Sequence, residues 1–226
     1  MLVETIGLCK EFSRRGSKGE SSFAAVSQVD MAVASADFVT VTGASGSGKT
    51  TLLTLLAGLA SPTSGTVLFK GKDMGVLPDK ELSALRNRDI GFVPQGPGLL
   101  GNLTVYDNVR APQLFAGKGA EDSGRTEFLL EAVGIQQLAE EYPSSLSGGE
   151  MRRASIARAL FSDPALLIAD EPTSDLDPEN TRIVMELLQR FNRQGTTIIV
   201  VTHEREVAAF GTVRLAMSGG VLERLV

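Results

Sequence analysis

The chain has 226 residues, of which 42% are hydrophobic and 22% charged, and its formal net charge is −5. This is the composition of an ordinary globular protein with one sizeable domain or two small ones, and the acidic balance argues against a nucleic-acid partner. The single cysteine, Cys9, fits a reducing compartment, and the lack of a ~20-residue apolar run or a secretory signal predicts a protein of the cytoplasm.

Five short apolar runs predict strands, at residues 38–43, 66–71, 89–95, 165–172 and 196–203. The last two runs are continuously apolar, which is typical of strands buried on both faces of a sheet. Helical patterns alternate with these strands. We therefore expect an α/β domain with a mainly parallel sheet.

Three segments have clear helical spacing and boundary signals. The predicted helices run from Lys49 until Pro62, from about Glu150 to Phe161, and from Pro178 to the exit at Gly195. The third helix has an apolar stripe of Ile183, Val184, Leu187, Leu188 and Phe191. Residues from about 96 to 161 look largely helical and indicate an inserted subdomain. The polar stretch 13–22 indicates a flexible loop or a hairpin tip, and not a domain linker.

The stretch GASGSGKT, residues 43–50, lies between a predicted strand and a predicted helix. Its glycines let the backbone curl so that successive N–H groups face the phosphates of a nucleotide. Lys49 would reach the β- and γ-phosphates, and the Thr50 hydroxyl would ligate Mg²⁺. The alternative, a chance glycine-rich turn, does not explain the full motif with these flanks. We expect the nucleotide to contact Gly43, Ala44, Ser45, Gly46, Ser47, Gly48, Lys49, Thr50 and Thr51.

Two adjacent carboxylates follow the apolar run LLIA. Asp170 would stand at the carboxyl edge of the sheet, where it is placed to hold Mg²⁺. Glu171 is placed to orient and polarise the water that attacks the γ-phosphate. The alternative is that Glu171 is an acidic helix cap before Pro172.

Gln95 and His203 end two other predicted strands at the same edge of the sheet. His203 is the only histidine, and its position favours a contact with the γ-phosphate, although a lone histidine is more often structural. The Gln95 amide is predicted to touch Mg²⁺ or the attacking water. Taken alone, Gln95 would be only a polar strand end.

A second anion-binding feature lies at the start of the predicted helix near residue 150. Ser147, Gly148 and Gly149 come directly before it, and they leave backbone N–H groups that favour an anion. A plain N-capped helix is the alternative. Since the phosphate loop lies about a hundred residues earlier, the residues alone do not say which anion this second helix end would bind.

The order of these features resembles the ATP-binding cassette (ABC) ATPases: Phe12, GASGSGKT, Gln95, LSGGE, LLIADEPTSDLD and His203. The resemblance covers nearly the whole chain, which we take as one ATP-binding domain of residues 1–226. It implies a P-loop NTPase (RecA-like) core, an N-terminal antiparallel β subdomain and a helical subdomain before LSGGE. It also implies ATP and Mg²⁺ as cofactors. The catalytic residues are then Glu171, His203, Gln95 and Lys49, and the metal ligands are Thr50, Gln95 and Asp170.

The resemblance further implies that two cassettes pair head to tail, with the LSGG helix of one copy covering the ATP held by the other. The residues that would serve the partner's nucleotide are Ser147, Gly148, Gly149, Glu150 and Asp175. Asp177 would fall in the same partner-facing loop as Asp175. Phe12 stands where an aromatic residue stacks on adenine, and Phe23 is a second aromatic residue nearby.

Two residues depart from the family pattern. Glu150 replaces the commoner glutamine after LSGG, which suits the helix dipole but adds repulsion near a phosphate, partly offset by Arg152 and Arg153. Asp175 takes a position that usually holds a small or neutral residue. Neither change removes a catalytic group, so we expect hydrolysis.

Several details resemble the macrolide-exporter and lipoprotein-releasing type of cassette, including the polar insertion 13–22 and the stretch LLGNLTVYDNV. This resemblance implies a separate transmembrane permease that docks near residues 95–109 and holds the chain at the cytoplasmic side of the membrane. The alternatives are a cell-division-type cassette, a soluble ABC ATPase of translation or repair, a module that senses ATP without hydrolysis, and a metabolic kinase. The substrate surface would belong to the permease.

Overall fold

The computed structural model describes residues 1–16, 19–96, 98–115 and 124–225. Within these ranges the strands are β1 (Val3–Gly16), β2 (Gly19–Val33), β3 (Phe38–Thr42), β4 (Ser64–Phe69), β5 (Lys72–Asp73), β6 (Ile90–Val93), β7 (Leu166–Asp170), β8 (Thr197–Thr202), β9 (Val213–Ser218) and β10 (Val221–Arg224). The helices are α1 (Lys49–Leu56), α2 (Asp79–Asp89), α3 (Val105–Phe115), α4 (Arg125–Ala132), α5 (Gly148–Ala159), α6 (Pro178–Arg193) and α7 (Arg205–Ala208).

The central sheet has six strands in the order β10-β9-β3-β8-β7-β6, and all neighbours are parallel except β10 and β9. Every residue of β7 and β8 is buried. Alternate residues enter different cores, because Leu166 and Ile168 pack in one hydrophobic cluster while Leu167 and Ala169 pack in the other. The prediction of a parallel sheet with two-sided burial is confirmed.

A second, antiparallel sheet has the order β2-β1-β4-β5. The β1–β2 hairpin is long, and it pairs Phe12 directly with Phe23. The polar insertion therefore belongs to a hairpin, since β1 continues to Gly16 and β2 resumes at Gly19. The implied antiparallel β subdomain is present.

The helical part lies between β6 and β7 in the chain and contains α3, α4 and α5. The apolar side chains of these helices pack in one hydrophobic cluster with those of α6. That cluster includes Val105, Leu129, Leu130, Ile156 and Leu188. Within the described ranges, no helix combines the length and the apolarity needed to cross a bilayer.

Some boundaries differ from the sequence prediction. Helix α1 ends at Leu56, because Gly58 adopts a φ of 63° and turns the chain before Pro62 is reached. Strand β6 ends at Val93, so Gln95 lies in the loop beyond the strand. Helix α5 begins at Gly148, two residues earlier than predicted.

Helices α2 and α6 show the limits of apolar periodicity. Helix α2 was not predicted, because among its polar residues only Leu85 is a buried apolar side chain. In α6 the apolar stripe is displaced slightly: Met185 is buried and Ile183 is only partly buried. The other four predicted stripe residues are buried as expected.

Candidate active site

The phosphate loop connects β3 to α1 at the carboxyl edge of the central sheet. Its curl needs glycine at Gly48, where φ is 105° and a Cβ would collide with the Ala25 carbonyl oxygen. The Lys49 ammonium folds back over the loop and donates to the carbonyl oxygens of Gly43 at 2.8 Å and Ala44 at 2.9 Å. This lysine is only 6% exposed, so its charge is held inside the loop.

The loop forms one wall of a cleft of about 290 Å³. From the loop and α1 the cleft is lined by Ser45, Gly46, Gly48, Lys49, Thr50 and Thr51. Ser47 lies behind the loop instead, buried and with no hydrogen-bond partner for its Oγ among the described residues. The remaining lining residues are Phe12, Phe23, Ala25, Gln95 and Glu171.

Asp170 ends β7 beside the phosphate loop and is 3% exposed. Burial raises the pKa of its carboxyl group and the neighbouring Glu171 charge adds to this rise, while a hydrogen bond from Thr50 and the charges of Lys49 and Arg152 oppose it. The hydroxyl of Thr50 therefore lies near the carboxylate of Asp170. Hard oxygen donors in this pairing fit Mg²⁺.

Three predicted catalytic side chains meet at one atom, Oε2 of Glu171. The Gln95 amide Nε2 donates to this oxygen at 3.3 Å, and His203 Nδ1 lies 3.3 Å from it. The Glu171 backbone has a φ of 47°, and its N–H donates to the Val201 carbonyl oxygen at 2.9 Å. Glu171 is therefore part of a turn tied to β8 and not a helix cap.

The aromatic side of the cleft contains two rings. The centroids of Phe12 and Phe23 are 5.9 Å apart, with 31° between the ring planes. Phe12 is 42% exposed and Phe23 is 55% exposed, so both rings offer apolar surface to the cleft. Such a surface is suited to a planar base.

The predicted second anion site lies at the start of α5, and none of its residues lines the cleft. Ser147 caps the helix, and Glu150 closes a capping box with it. A Cβ at Gly149 would collide with the Asn180 side-chain amide at the start of α6, so glycine allows this close approach. The first turns of α5 and α6 are thus packed together.

The loop before α6 contains the two aspartates that were expected to face a partner. Asp175 is exposed and has a φ of 64°, whereas the Asp177 carboxylate accepts from the Asn180 backbone N–H at 2.9 Å. This bond makes Asp177 the N-cap of α6.

The sequence and the structure were then compared with known proteins. Residues 26–174 match the model of the family described as ABC transporter. The lipoprotein-releasing system ATP-binding protein LolD of Aquifex aeolicus is 45% identical over 193 residues, which is 85% of this chain and 86% of LolD. The chain belongs to the ABC transporter family.

Two further similarities agree with this assignment. The macrolide export ATP-binding/permease protein MacB of Chlorobaculum tepidum is 41% identical over 98% of this chain, which corresponds to 33% of MacB. A dimeric post-hydrolysis structure of the ATP-binding cassette MJ0796 bound to ADP and Pi has a TM-score of 0.90, 33% identity and 99% coverage of both chains. The predicted resemblance to cassettes of the lipoprotein-releasing and macrolide-exporting type is confirmed.

As a member of the ABC transporter family, the chain is an ATP-binding and ATP-hydrolysing cassette. Sequence reasoning missed or only partly anticipated three features of this ABC cassette, since it named Phe23 merely as a second aromatic residue near Phe12. Ala25 lines the cleft, Phe23 shares the aromatic side equally with Phe12, and Arg152 donates to the carbonyl oxygens of Pro94 at 2.8 Å and Gln95 at 2.6 Å. The role of Phe23 had one signal in the sequence. A symmetrical hairpin through residues 13–22 brings Phe12 and Phe23 opposite each other, as the structure shows.

Proposed function

We propose that this ABC cassette hydrolyses ATP in the cleft beside its phosphate loop, with Glu171 as the base for the attacking water. The observation that carries this proposal is the meeting of Gln95 Nε2 and His203 Nδ1 at Oε2 of Glu171. A carboxylate held by two polar side chains at the edge of a phosphate site is suited to orient water and accept its proton. Gln95 and His203 keep that oxygen directed at the cleft.

Binding of ATP is assigned to the loop and to the two phenylalanines. The backbone N–H groups of the loop and the Lys49 ammonium compensate the phosphate charge, and the Phe12 and Phe23 rings provide an apolar surface for adenine. Thr50 and Asp170, with Gln95 nearby, are the residues that would hold Mg²⁺, because their hard oxygen atoms suit this ion. When bound, Mg²⁺ supplies positive charge that stabilises the phosphate oxygens during transfer.

The remaining residues are assigned to the nucleotide of a second copy. Ser147, Gly148 and Gly149 open α5 outside the chain's own cleft, and the start of a 12-residue helix favours an anion. Pairing two copies head to tail would bring this end onto the partner's γ-phosphate. Asp175 is exposed in the adjacent loop and would approach the same site. Closure would follow ATP binding and opening would follow hydrolysis.

A separate permease would dock in an apolar groove of about 340 Å³ between the central sheet and the helical part. The groove is lined by residues of α2, β6, α3 and α5, and Leu100 is the lining residue from the segment 95–109. Arg158 lies in this groove; burial lowers its pKa, and no described carboxylate pairs with it. We assign to this groove a permease helix that carries an Asp or Glu.

This docking would place the cassette at the cytoplasmic side of the membrane, attached through its partner. The similarity to LolD and MacB supports an export or mechanotransmission type of transporter. In either type the substrate would be recognised by the permease, and the cassette would supply the closing motion.

The Glu171→Gln variant tests the assignment of the base. It removes the proton acceptor but keeps the shape, so we expect turnover to fall by about 10²–10⁴ while ATP binding is retained. With Mg-ATP the variant should then accumulate as a dimer of twice the 23.9 kDa chain mass, measured by light scattering after gel filtration. Glu186→Gln is the matched control, because Glu186 is exposed on α6 and pairs with Arg182.

A second arm tests the head-to-tail arrangement. Ser147→Arg in the Glu171→Gln background should bind ATP as a monomer but fail to dimerise, because the bulky side chain blocks the partner's γ-phosphate. Normal dimerisation of this double variant would contradict the assignment of Ser147.

A third experiment tests the permease. Extraction of the Glu171→Gln protein from its own membranes with Mg-ATP should recover a multi-span membrane protein. Recovery of ribosomal or repair components instead would contradict the proposed permease partner.

A further inference from the structure

The start of α5 holds a carboxylate against the groups that were expected to donate to an anion. The Ser147 backbone N–H donates to Glu150 Oε2 at 2.8 Å, and the Ser147 hydroxyl donates to the same oxygen at 2.7 Å. The Glu150 N–H points back to Ser147 Oγ at 3.4 Å. These hydrogen bonds lower the pKa of Glu150, so its carboxylate is ionised at neutral pH.

A serine hydroxyl has one hydrogen to donate. In this structure that hydrogen is directed at Glu150, and a γ-phosphate oxygen of a partner's ATP would need it for the same purpose. The two acceptors are both anionic, so they cannot share the donor without repulsion. The positive charge of Arg153 could offset this repulsion. However, its Nη1 donates to Asn180 Oδ1 at 3.1 Å.

We propose that Glu150 competes with the partner's γ-phosphate for the Ser147 hydroxyl and so determines how much ATP is needed to close the dimer. This inference rests on the proposed ATP-sandwiched dimer. ATP binding in the cleft of a single chain does not involve Glu150, because the carboxylate lies outside that cleft. Closure of the pair does involve it, since the Ser147 hydroxyl must turn from the carboxylate to the phosphate. A glutamine at this position would accept the same hydrogen without a negative charge.

The test compares Glu171→Gln with Glu150→Gln/Glu171→Gln, both of which retain ATP. Light scattering gives the ATP concentration at half-maximal dimerisation, and calorimetry at dilute protein gives the ATP affinity of the monomer. We expect half-maximal dimerisation at an ATP concentration about threefold to tenfold lower in the double variant, which corresponds to one weakened charged hydrogen bond. The monomer affinity should be the same in both proteins.

Glu81→Gln in the Glu171→Gln background is the matched control, because Glu81 also lies in the first turn of a helix and its loss changes the net charge equally. It should leave the dimerisation midpoint unchanged. An equal or higher ATP requirement in the Glu150→Gln double variant would overturn the inference, because the carboxylate would then be orienting Ser147 for the phosphate. If the Glu171→Gln parent fails to dimerise with ATP, the proposed function itself is wrong and the inference falls with it.

Discussion

Glu171 is positioned by its backbone before any side-chain contact is made. A φ of 47° is uncommon for a residue with a Cβ and costs on the order of 1 kcal/mol. The turn is held on both sides, since the N–H of Glu171 bonds to Val201 and its carbonyl oxygen accepts from Ser174 N and Oγ. This fixed turn directs the carboxylate towards Gln95 and His203, so local strain is used to place the proposed base.

Asp89 is a buried carboxylate whose contribution to stability can be tested by mutation. It is 7% exposed and accepts from Lys70 Nζ at 2.8 Å and from Arg88 at 2.6 and 2.9 Å. Burial alone would raise its pKa, but the hydrogen bonds and charges of Arg88 and Lys70 outweigh burial and lower it. Because the folded-state pKa is below the unfolded value, this stabilisation is present above the unfolded pKa and is lost as pH falls through the folded pKa.

Asp89→Asn should therefore lower the free energy of unfolding by about 1–2 kcal/mol at pH 7. The deficit should begin to shrink below about pH 4, where the carboxyl of the unfolded chain takes up a proton, and should disappear as pH falls through the lower folded-state pKa. Urea unfolding followed by circular dichroism at several pH values gives both quantities. Asp163→Asn is the control, because Asp163 is 88% exposed and faces Arg125 at 3.5 Å. A deficit that is constant with pH would show that packing, and not charge, is lost.

At the scale of elements, the turn between β9 and β10 braces the phosphate loop. The Gly220 N–H donates to the Ser47 carbonyl oxygen at 3.0 Å, and the Gly220 carbonyl oxygen accepts from Ser27 N at 2.8 Å. Gly220 thus connects the phosphate loop to β2, the strand that contains Phe23. One residue between β9 and β10 therefore links the phosphate loop to the strand that carries an aromatic residue of the cleft.

Gly220→Ala should weaken ATP binding. The φ of Gly220 is 82°, and a Cβ would stand 3.2 Å from the carbonyl oxygens of Ala24 and Ala25, so the turn must shift. We expect the Kd for ATP to rise about threefold to tenfold, which corresponds to a loss of about 1 kcal/mol in binding free energy. Gly219→Ala is a matched control in the same turn, with a φ of 55° and open space around its Cβ. Equal ATP affinity in the two variants, measured by calorimetry, would contradict the bracing role.

These elements also explain which parts of the fold could be predicted. Strands β7 and β8 and the loop 43–50 were evident because their signals are local: continuous apolar runs and a fixed spacing of glycines, lysine and threonine. The contacts of Gly220 and Arg152 join residues that are distant in sequence, and no local pattern indicates which partner each will meet. The proximity of Gln95, Glu171 and His203 was predictable because parallel strands bring their carboxyl ends to one edge.

At the scale of the whole molecule, one chain carries the two half-sites proposed above, and they lie apart. The phosphate loop, Gln95 and Glu171 line the cleft, whereas the donors of α5 lie outside it. Arg152 connects the two half-sites, because it extends from α5 to the backbone of Gln95 and is 5% exposed. A movement of the helical part would therefore be transmitted to the loop that holds the Gln95 amide.

The groove proposed for the permease lies at the far end of the same helix, so force from α5 would reach the membrane partner through Arg158. Its guanidinium donates to the Gly98 carbonyl oxygen at 2.8 Å and is the charged group in a largely apolar lining. A carboxylate on the docking helix would pair with this desolvated cation. Arg158→Ala should then raise the Kd for the permease in nanodiscs about tenfold or more, since a buried charge on the partner would be left unpaired.

Two controls separate this contact from a general loss of structure. Arg190→Ala removes an exposed arginine of α6 that lies outside the groove, and it should bind the permease normally. The ATP affinity of the isolated Arg158→Ala cassette reports whether the fold is intact. Restoration of binding by Arg158→Glu together with an arginine at the permease carboxylate would establish the pair. Full permease affinity in Arg158→Ala would mean that the groove is recognised by shape and apolar contact alone.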